Sequence, residues 1–456
     1  MRHCHSPTLS ALAAIVVGIS MMPGADEAPS VEQRLQTLDQ EVKQLKEAAA
    51  KQAAGGANAT SAPTGDAPRL TASAKEGFSL VSADGAYRLR LGGFAQIDGK
   101  YFLNDDNLPF NNTFTLSKVR PIIEGTLAKY FDYRLMFDLA ATPALVDAYL
   151  TANVDPAFKI TAGRFKVPFG LEMLQSDTNT AFVTRGLPTY LSPTRDAGFQ
   201  ISGDVLEGTL NYAFGVFNGP VDGGNKDPDT NDDKDSMARL WATPFKNTSV
   251  DVLKTLSLGI AASYGYEKGT AGAATNNLPT YKTPGANTFF TYGAATFAKG
   301  DRTRYSPQLY WPIQSFDVLA EYVATTQRVQ AVTAANITNS AWQIEAGYIL
   351  TGENATMKGV VPGKDFGPGG WGAFQVVARV GAINIDDAVY SNGFATRATQ
   401  ASSATDIGVG VNWFLNRNVK LQLNYDHTTF KDGATPALGD DRESEEVIQT
   451  RVQFVF

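Results

Sequence analysis

From Gly77 to Phe456 the chain alternates apolar and polar residues with a period of two, in one short segment after another. After the first 25 residues it nowhere holds the run of about 18 apolar residues that a membrane-crossing helix needs. In Tyr87–Asp98, Tyr87, Leu89, Leu91 and Ile97 share one face, and Arg88, Arg90, Gln96 and Asp98 share the other. In Ser117–Leu127, Val119, Pro121, Ile123 and Leu127 oppose Lys118, Arg120, Glu124 and Thr126. In Val419–Asp426, Val419, Leu421, Leu423 and Tyr425 oppose Lys420, Gln422, Asn424 and Asp426. A water-soluble sandwich would turn the polar face outward, whereas a barrel in lipid would turn it towards a wet lumen. Periodicity alone does not separate the two.

The connections do. Lys129–Asp132, Asp155-Pro156, Glu207-Gly208 and Asn416–Asn418 are tight. Asn104–Asn112, Lys166–Ala197, Asn218–Asp235, Lys268–Lys299, Asp386–Ala404 and Lys431–Glu445 are long and polar. Short and long mostly alternate, as they do in outer-membrane barrels. Counting predicts an all-β chain with about sixteen antiparallel strands, provided Thr288–Phe297 belongs to a long connection; an odd count would put the two ends on opposite sides. Thr351–Pro368 breaks the alternation, because it is long and falls on the short-turn side. A barrel of this size leaves an aqueous channel. The charged fraction of 19% lies below the roughly 25% of soluble domains. The formal net charge of −7 argues against general nucleic-acid binding.

Ahead of the strands, residues 1–25 read as a signal peptide: Arg2, the apolar stretch Leu9–Met22, then Pro23-Gly24-Ala25, with cleavage near Ala25 or Ala28. The one cysteine, Cys4, lies inside it, which leaves no disulfide or thiol chemistry. Residues 30–52 read as a short coiled-coil helix, because Val31, Leu35, Leu38, Val42 and Leu45 form an a/d seam. Residues 53–76 read as a flexible Ala/Gly/Pro/Thr-rich linker.

Other chemistry is thinly represented. Asp227, Asp229, Asn231 and Asp233 have the spacing of a calcium loop, but Asp232 stands where such a loop needs Gly and Ala238 where it needs Glu. His3 and His5 lie in the leader, so a hydrolase would have to use His427, which the register puts beside Tyr425 on the lipid face. No Gly-rich phosphate loop opens a helix. No enzyme activity, cofactor or metal is expected.

Specific strings carry a family resemblance. "RLGGFAQIDGKYF" ending at Phe102, "EGTLAKYFDYRLMFDLA" at 124–140, "AGRFKVPFGLE" at 162–172, "RLWATPF" at 239–245 and the terminal "RVQFVF" occur in this order. Over Ala86 to Phe456 the chain resembles the phosphate-selective porin O and P family. The resemblance implies a homotrimer of 16-stranded barrels in the bacterial outer membrane, meeting lipid and lipopolysaccharide and passing small anions such as phosphate. It also implies a third loop folded into the lumen as a constriction. A lysine follows Gly-Leu-Glu in phosphate-binding members, where this chain has Met173; Ser117-Lys118 stands in place of paired arginines. Arg185 matches a loop-three arginine, and Asp147 matches an acidic neighbour of the central site.

An anion passage needs fixed cations where it narrows. Arginine suits this because its planar fork pairs with oxyanions and stays charged. The inward register offers Arg88, Arg90, Lys118, Arg120, Arg134, Arg239, Arg304, Arg379, Lys420 and Arg451, and the third loop adds Lys166, Arg185 and Arg195. Asp98, Glu124, Asp138, Asp147, Asp317, Asp406 and Asp426 are expected to face inward as well. Two other readings stay open: a general or organic-solute porin with weak charge preference, and a barrel serving as adhesin or structural anchor.

Overall fold

The computed structural model describes residues 68–73, 77–103, 110–141, 145–224, 232–434 and 441–456. The expected leader, the 30–52 helix and most of the linker lie outside the described residues. Arg69–Ser73, at the end of the stretch read as linker, is instead a strand paired with Gly77–Val81. Both segments alternate, and Gly77 at φ +60 makes the tight approach that lets the second strand lie along the start of the barrel.

Sixteen further strands close on themselves. They are β1 (Arg88–Phe102), β2 (Thr113–Leu127), β3 (Phe131–Phe137), β4 (Leu145–Asp155), β5 (Phe158–Lys166), β6 (Arg195–Val205), β7 (Leu210–Phe217) and β8 (Asp235–Ala242). The second half is β9 (Ser257–Lys268), β10 (Phe297–Ile313), β11 (Phe316–Gln330), β12 (Ala334–Ile349), β13 (Ala373–Asn384), β14 (Ala401–Phe414), β15 (Val419–Asp432) and β16 (Glu445–Val455). Each is antiparallel to its neighbours, and β16 pairs with β1 from Val447↔Phe102 to Val455↔Phe94. Thr288–Phe290 pairs only with Tyr281–Lys282, in a small hairpin of the long β9–β10 connection and not in the barrel, as the even count requires.

The distribution of side chains is inverted relative to a soluble domain. Leu240, Ile260, Tyr264, Ile407 and Leu423 are exposed on the outer face, while Gln308, Asp426 and Gln449 are buried inside. An outward apolar band around a polar interior is the transmembrane barrel arrangement. His427 falls in the outward register with Tyr425; its Nδ1 lies 3.6 Å from Glu446.

The start of β1 and the end of β16 lie at one end of the barrel, called here the near end. Aromatic residues gather there: Trp413 stacks on Phe374 at 5.4 Å and meets Phe366 edge-on, and its indole N–H donates to the Trp371 carbonyl at 2.6 Å. Indole rings with one polar edge suit a membrane–water boundary. The near-end connections are short turns, except 243–256 and 350–372. The latter folds back inward: Ala355 and Val360 pack with Ile349, Ala373 and Phe414, and Met357 reaches the cluster of Leu171, Tyr310 and Leu319.

Candidate functional site

The connection Val167–Thr194 between β5 and β6, the third at the far end and called L3 here, does not stand above the barrel. It folds across the lumen. Its apolar residues Val167, Phe169, Leu187 and Leu191 are buried against Val323 of β11 and Ile337 and Ala341 of β12. The backbone polar groups of such a loop need partners once water is excluded. The wall supplies them. Gln308 donates to the Phe169 carbonyl at 2.6 Å, and Glu321 accepts the N–H groups of Leu171 at 2.6 Å and Glu172 at 3.3 Å. Thr325 donates to the Leu191 carbonyl and Arg379 to the Thr184 carbonyl. Asn412 and Gln422 donate to the Ala181 carbonyl, and Asn424 accepts the Val183 N–H. Lys420 Nζ donates to the Thr178 and Thr180 carbonyls at 3.0 Å each; Gln453 donates to Thr178 and Gln96 to Asp177.

These ties run from β10 to β16 and on to β1, so L3 fills that half of the lumen and leaves space against β1–β6. Two cavities occupy the space. One of about 310 Å³, on the far side, is lined by Asp98, Lys118, Met173, Asp177 and Arg185. The other, of about 410 Å³ and closer to the near end, is lined by Arg134, Asp147, Tyr149, Lys166, Asp177 and Arg195. Asp177 of L3 lines both and therefore marks the neck between them.

The neck is built around that carboxylate. Arg120 of β2 donates to Asp177 Oδ2 at 2.5 Å, and Arg185 of L3 donates to Oδ1 at 2.6 Å. Arg195, the first residue of β6, stands 3.9 Å away. Lys166, the last residue of β5, is the register partner of Arg195, so both roots of L3 carry a cation. Lys166 donates to the Gln175 carbonyl. Each arginine also has a second partner: Arg120 on Asp138 at 2.8 Å, Arg195 on Asp147 at 2.7 Å, and Arg185 on the carbonyls of Glu172 and Gln175. Burial pushes the Asp177 carboxyl up, but Arg185, Lys166, Lys118 and Arg120 together outweigh it and hold it well below the usual carboxylate range. Burial works against the Arg185 charge, and Asp177 and Glu172 more than restore it.

The residues expected from sequence fall into three groups. Lys118, Arg120, Lys166, Arg185 and Arg195 meet at the neck. Arg134 follows towards the near end, 2.8 Å from Glu124 and 3.6 Å from Asp147, and Arg90 sits on the other Glu124 oxygen at 2.7 Å, with Arg88 further towards that end. The rest are tied to partners in the wall or in L3, Arg451 alone among them lining the far-side cavity. Arg304 lines neither cavity: its side chain is fully buried and clamps Asp222 and Asp235. Arg239 lies over the Trp241 ring at 4.5 Å and donates to Gln308. Arg379 is tied to Asp406 and Asp426, Arg451 to Asp98, and Lys420 to the L3 carbonyls. The calcium-like run falls mostly outside the described residues.

Sequence reasoning missed Asp177, which sits in a loop with no period to read. It also missed the inward amides Gln449 and Gln453, and although it put Gln96, Gln422 and Asn424 on the polar face it gave them no role in holding L3. Their alternate spacing in "LQLNYD" and "VIQTRVQ" was the available signal.

Comparison with known proteins agrees with this geometry. Residues 87–456 match the family model described as phosphate-selective porin O and P. Porin O of Pseudomonas aeruginosa is 24% identical over 434 residues, covering 86% of this chain and 94% of that protein. The outer membrane channel DcaP of Acinetobacter baumannii superposes with a TM-score of 0.51 at 12% identity, over 82% of this chain and 99% of that one. The anion-selective porin of Comamonas acidovorans does so at 0.50 and 12% identity, over 81% and 100%. The chain is a porin of the bacterial outer membrane and belongs to the phosphate-selective porin O and P family.

Proposed function

We propose that this porin passes small anions passively, with phosphate and related oxyanions as its best-fitting solutes, and that selection happens at the neck around Asp177. The observation that carries the reading is the charge balance there. Five basic side chains, Lys118, Arg120, Lys166, Arg185 and Arg195, the three arginines among them permanently charged, meet three carboxylates, Asp138, Asp147 and Asp177. A pore must replace part of an ion's hydration where it narrows. At an effective dielectric near 20, two unit charges about 4 Å apart interact by roughly 4 kcal/mol, against about 1 kcal/mol in bulk water. The surplus cations therefore act far more strongly in the neck than they would in a wide vestibule.

The test is the reversal potential of reconstituted channels in a potassium chloride gradient. Wild type is expected on the anion side. Arg185→Glu sets a second carboxylate beside Asp177 and should move the potential towards the cation side. Equal passage of potassium and chloride, unmoved by that substitution, would sink the reading.

A general porin with weak preference is the second reading, favoured by one observation. Other lumen arginines are neutralised, Arg379 by Asp406 and Asp426, and Arg451 by Asp98 at the wall of the far-side cavity. Chloride preference without any block by phosphate would select it. The assembly is read as a homotrimer, an expectation from the family, and the outward apolar band supports its seat in lipid. Native mass analysis in mild detergent checks it.

A further inference from the structure

We infer that Asp177 is a built-in competitor for the permeating anion: its carboxylate occupies a preformed oxyanion site and thereby lets solutes pass through instead of lodging. The inference rests on reading the neck as the anion pathway, and it concerns affinity, not charge preference.

The geometry points to a site, not a lone ion pair. Guanidinium groups converge on one point from three elements: Arg120 from the β2 wall, Arg185 from L3 and Arg195 from β6. Lys118 and Lys166 line the cavities on either side of it. None of the three arginines depends on Asp177 for its aim. Arg120 Nε is held by Asp138, Arg195 Nε by Asp147, and Arg185 by the carbonyls of Glu172 and Gln175. The loop backbone does not depend on the carboxylate either, because Gln96, Lys420 and Gln453 hold the carbonyls of Asp177, Thr178 and Thr180.

Removing the charge of Asp177 therefore leaves the cations pointing at an empty position. Converging guanidinium forks around such a position are what a phosphate or carboxylate binds. Conduction needs binding that is weak enough to release. An internal carboxylate in the same place lowers occupancy by a solute without removing the positive field that draws it in.

The experiment measures chloride current through planar bilayers while inorganic phosphate is titrated. Asp177→Asn and Asp177→Ala should lower the half-blocking concentration by about tenfold or more, which is about 1.4 kcal/mol. Asp177→Glu should stay close to wild type. Neutral variants that conduct and are blocked at the wild-type concentration would overturn the inference. If the neutral variants do not insert, wild-type crystals grown in phosphate decide it. A phosphate ordered on both Arg120 and Arg185 beside Asp177 would overturn it, and Asp177 alone on those groups at saturating phosphate would support it. Wild-type channels without anion preference would instead remove the reading of the neck itself.

Discussion

Met173 faces the far-side cavity together with Lys118, Asp177 and Arg185. Met173→Lys should place a further cation within reach of a solute waiting there. One extra charge in a partly hydrated space is worth about 1 kcal/mol, so phosphate block of chloride current should strengthen by about fivefold. Bilayer titration checks it, and a smaller effect than Asp177→Asn is expected because Met173 lines the cavity and not the convergence point. Much at this scale was legible in sequence. The period of two sends Lys118, Arg120, Asp98, Asp147 and Asp426 inward, and they are inward. What a lumen residue does once inside was not legible. Arg304 and Arg120 have the same register logic and each is held by two carboxylates, yet one is locked behind Asp222 and Asp235 while the other holds Asp177, which lines both cavities. Only the meeting of distant segments separates them: Asp222 is 82 residues from Arg304, and Asp177 is 57 from Arg120.

Among the elements, the strands announced themselves and L3 did not. Alternation, tight turns and the even count located the sixteen strands, kept Thr288–Phe290 out of the barrel and placed 350–372 on the near side. A loop has no period, so its inward fold came only from the resemblance. Its docking depends on close approaches that a sequence does not display. Gly186 is one of them: a Cβ there would lie 1.6 Å from Gln343 Oε1, and Gln343 in turn donates to Glu172 at 2.9 Å. The backbone at Gly186 is ordinary, φ −71, so the cost of a side chain is crowding and not strain. Gly186→Ala should displace Gln343, leave Glu172 short of a donor and destabilise L3 by about 1–3 kcal/mol. The expected result is an intact heat-modifiable barrel with noisier open-channel current, recorded from single channels. Quiet current at wild-type conductance would show that the loop tolerates the shift.

The barrel as a whole is held by a seam between its first and last strands. Arg451 donates to both oxygens of Asp98 at 2.6 Å across 353 residues of chain, and Gln96 donates to Gln453 across 357. Deleting residues 447–456 should abolish the barrel and not merely weaken it, because β1 and β15 would both be left as open edges. Loss of the heat-modifiable band, with aggregation, is the expected readout; a trimer or monomer with wild-type mobility would contradict it. The seam also sets a timetable. The clasp of the ring is the last eleven-residue strand to be made, and no earlier pairing substitutes for it. Until it arrives, fifteen strands wait with unpaired N–H and C=O groups at both flanks, the kind of edge that recruits other chains. Pairings this remote in sequence also form slowly. A chain built as a closed ring therefore keeps edges open to other chains for as long as β16 is unpaired, and loses them only when the ring closes.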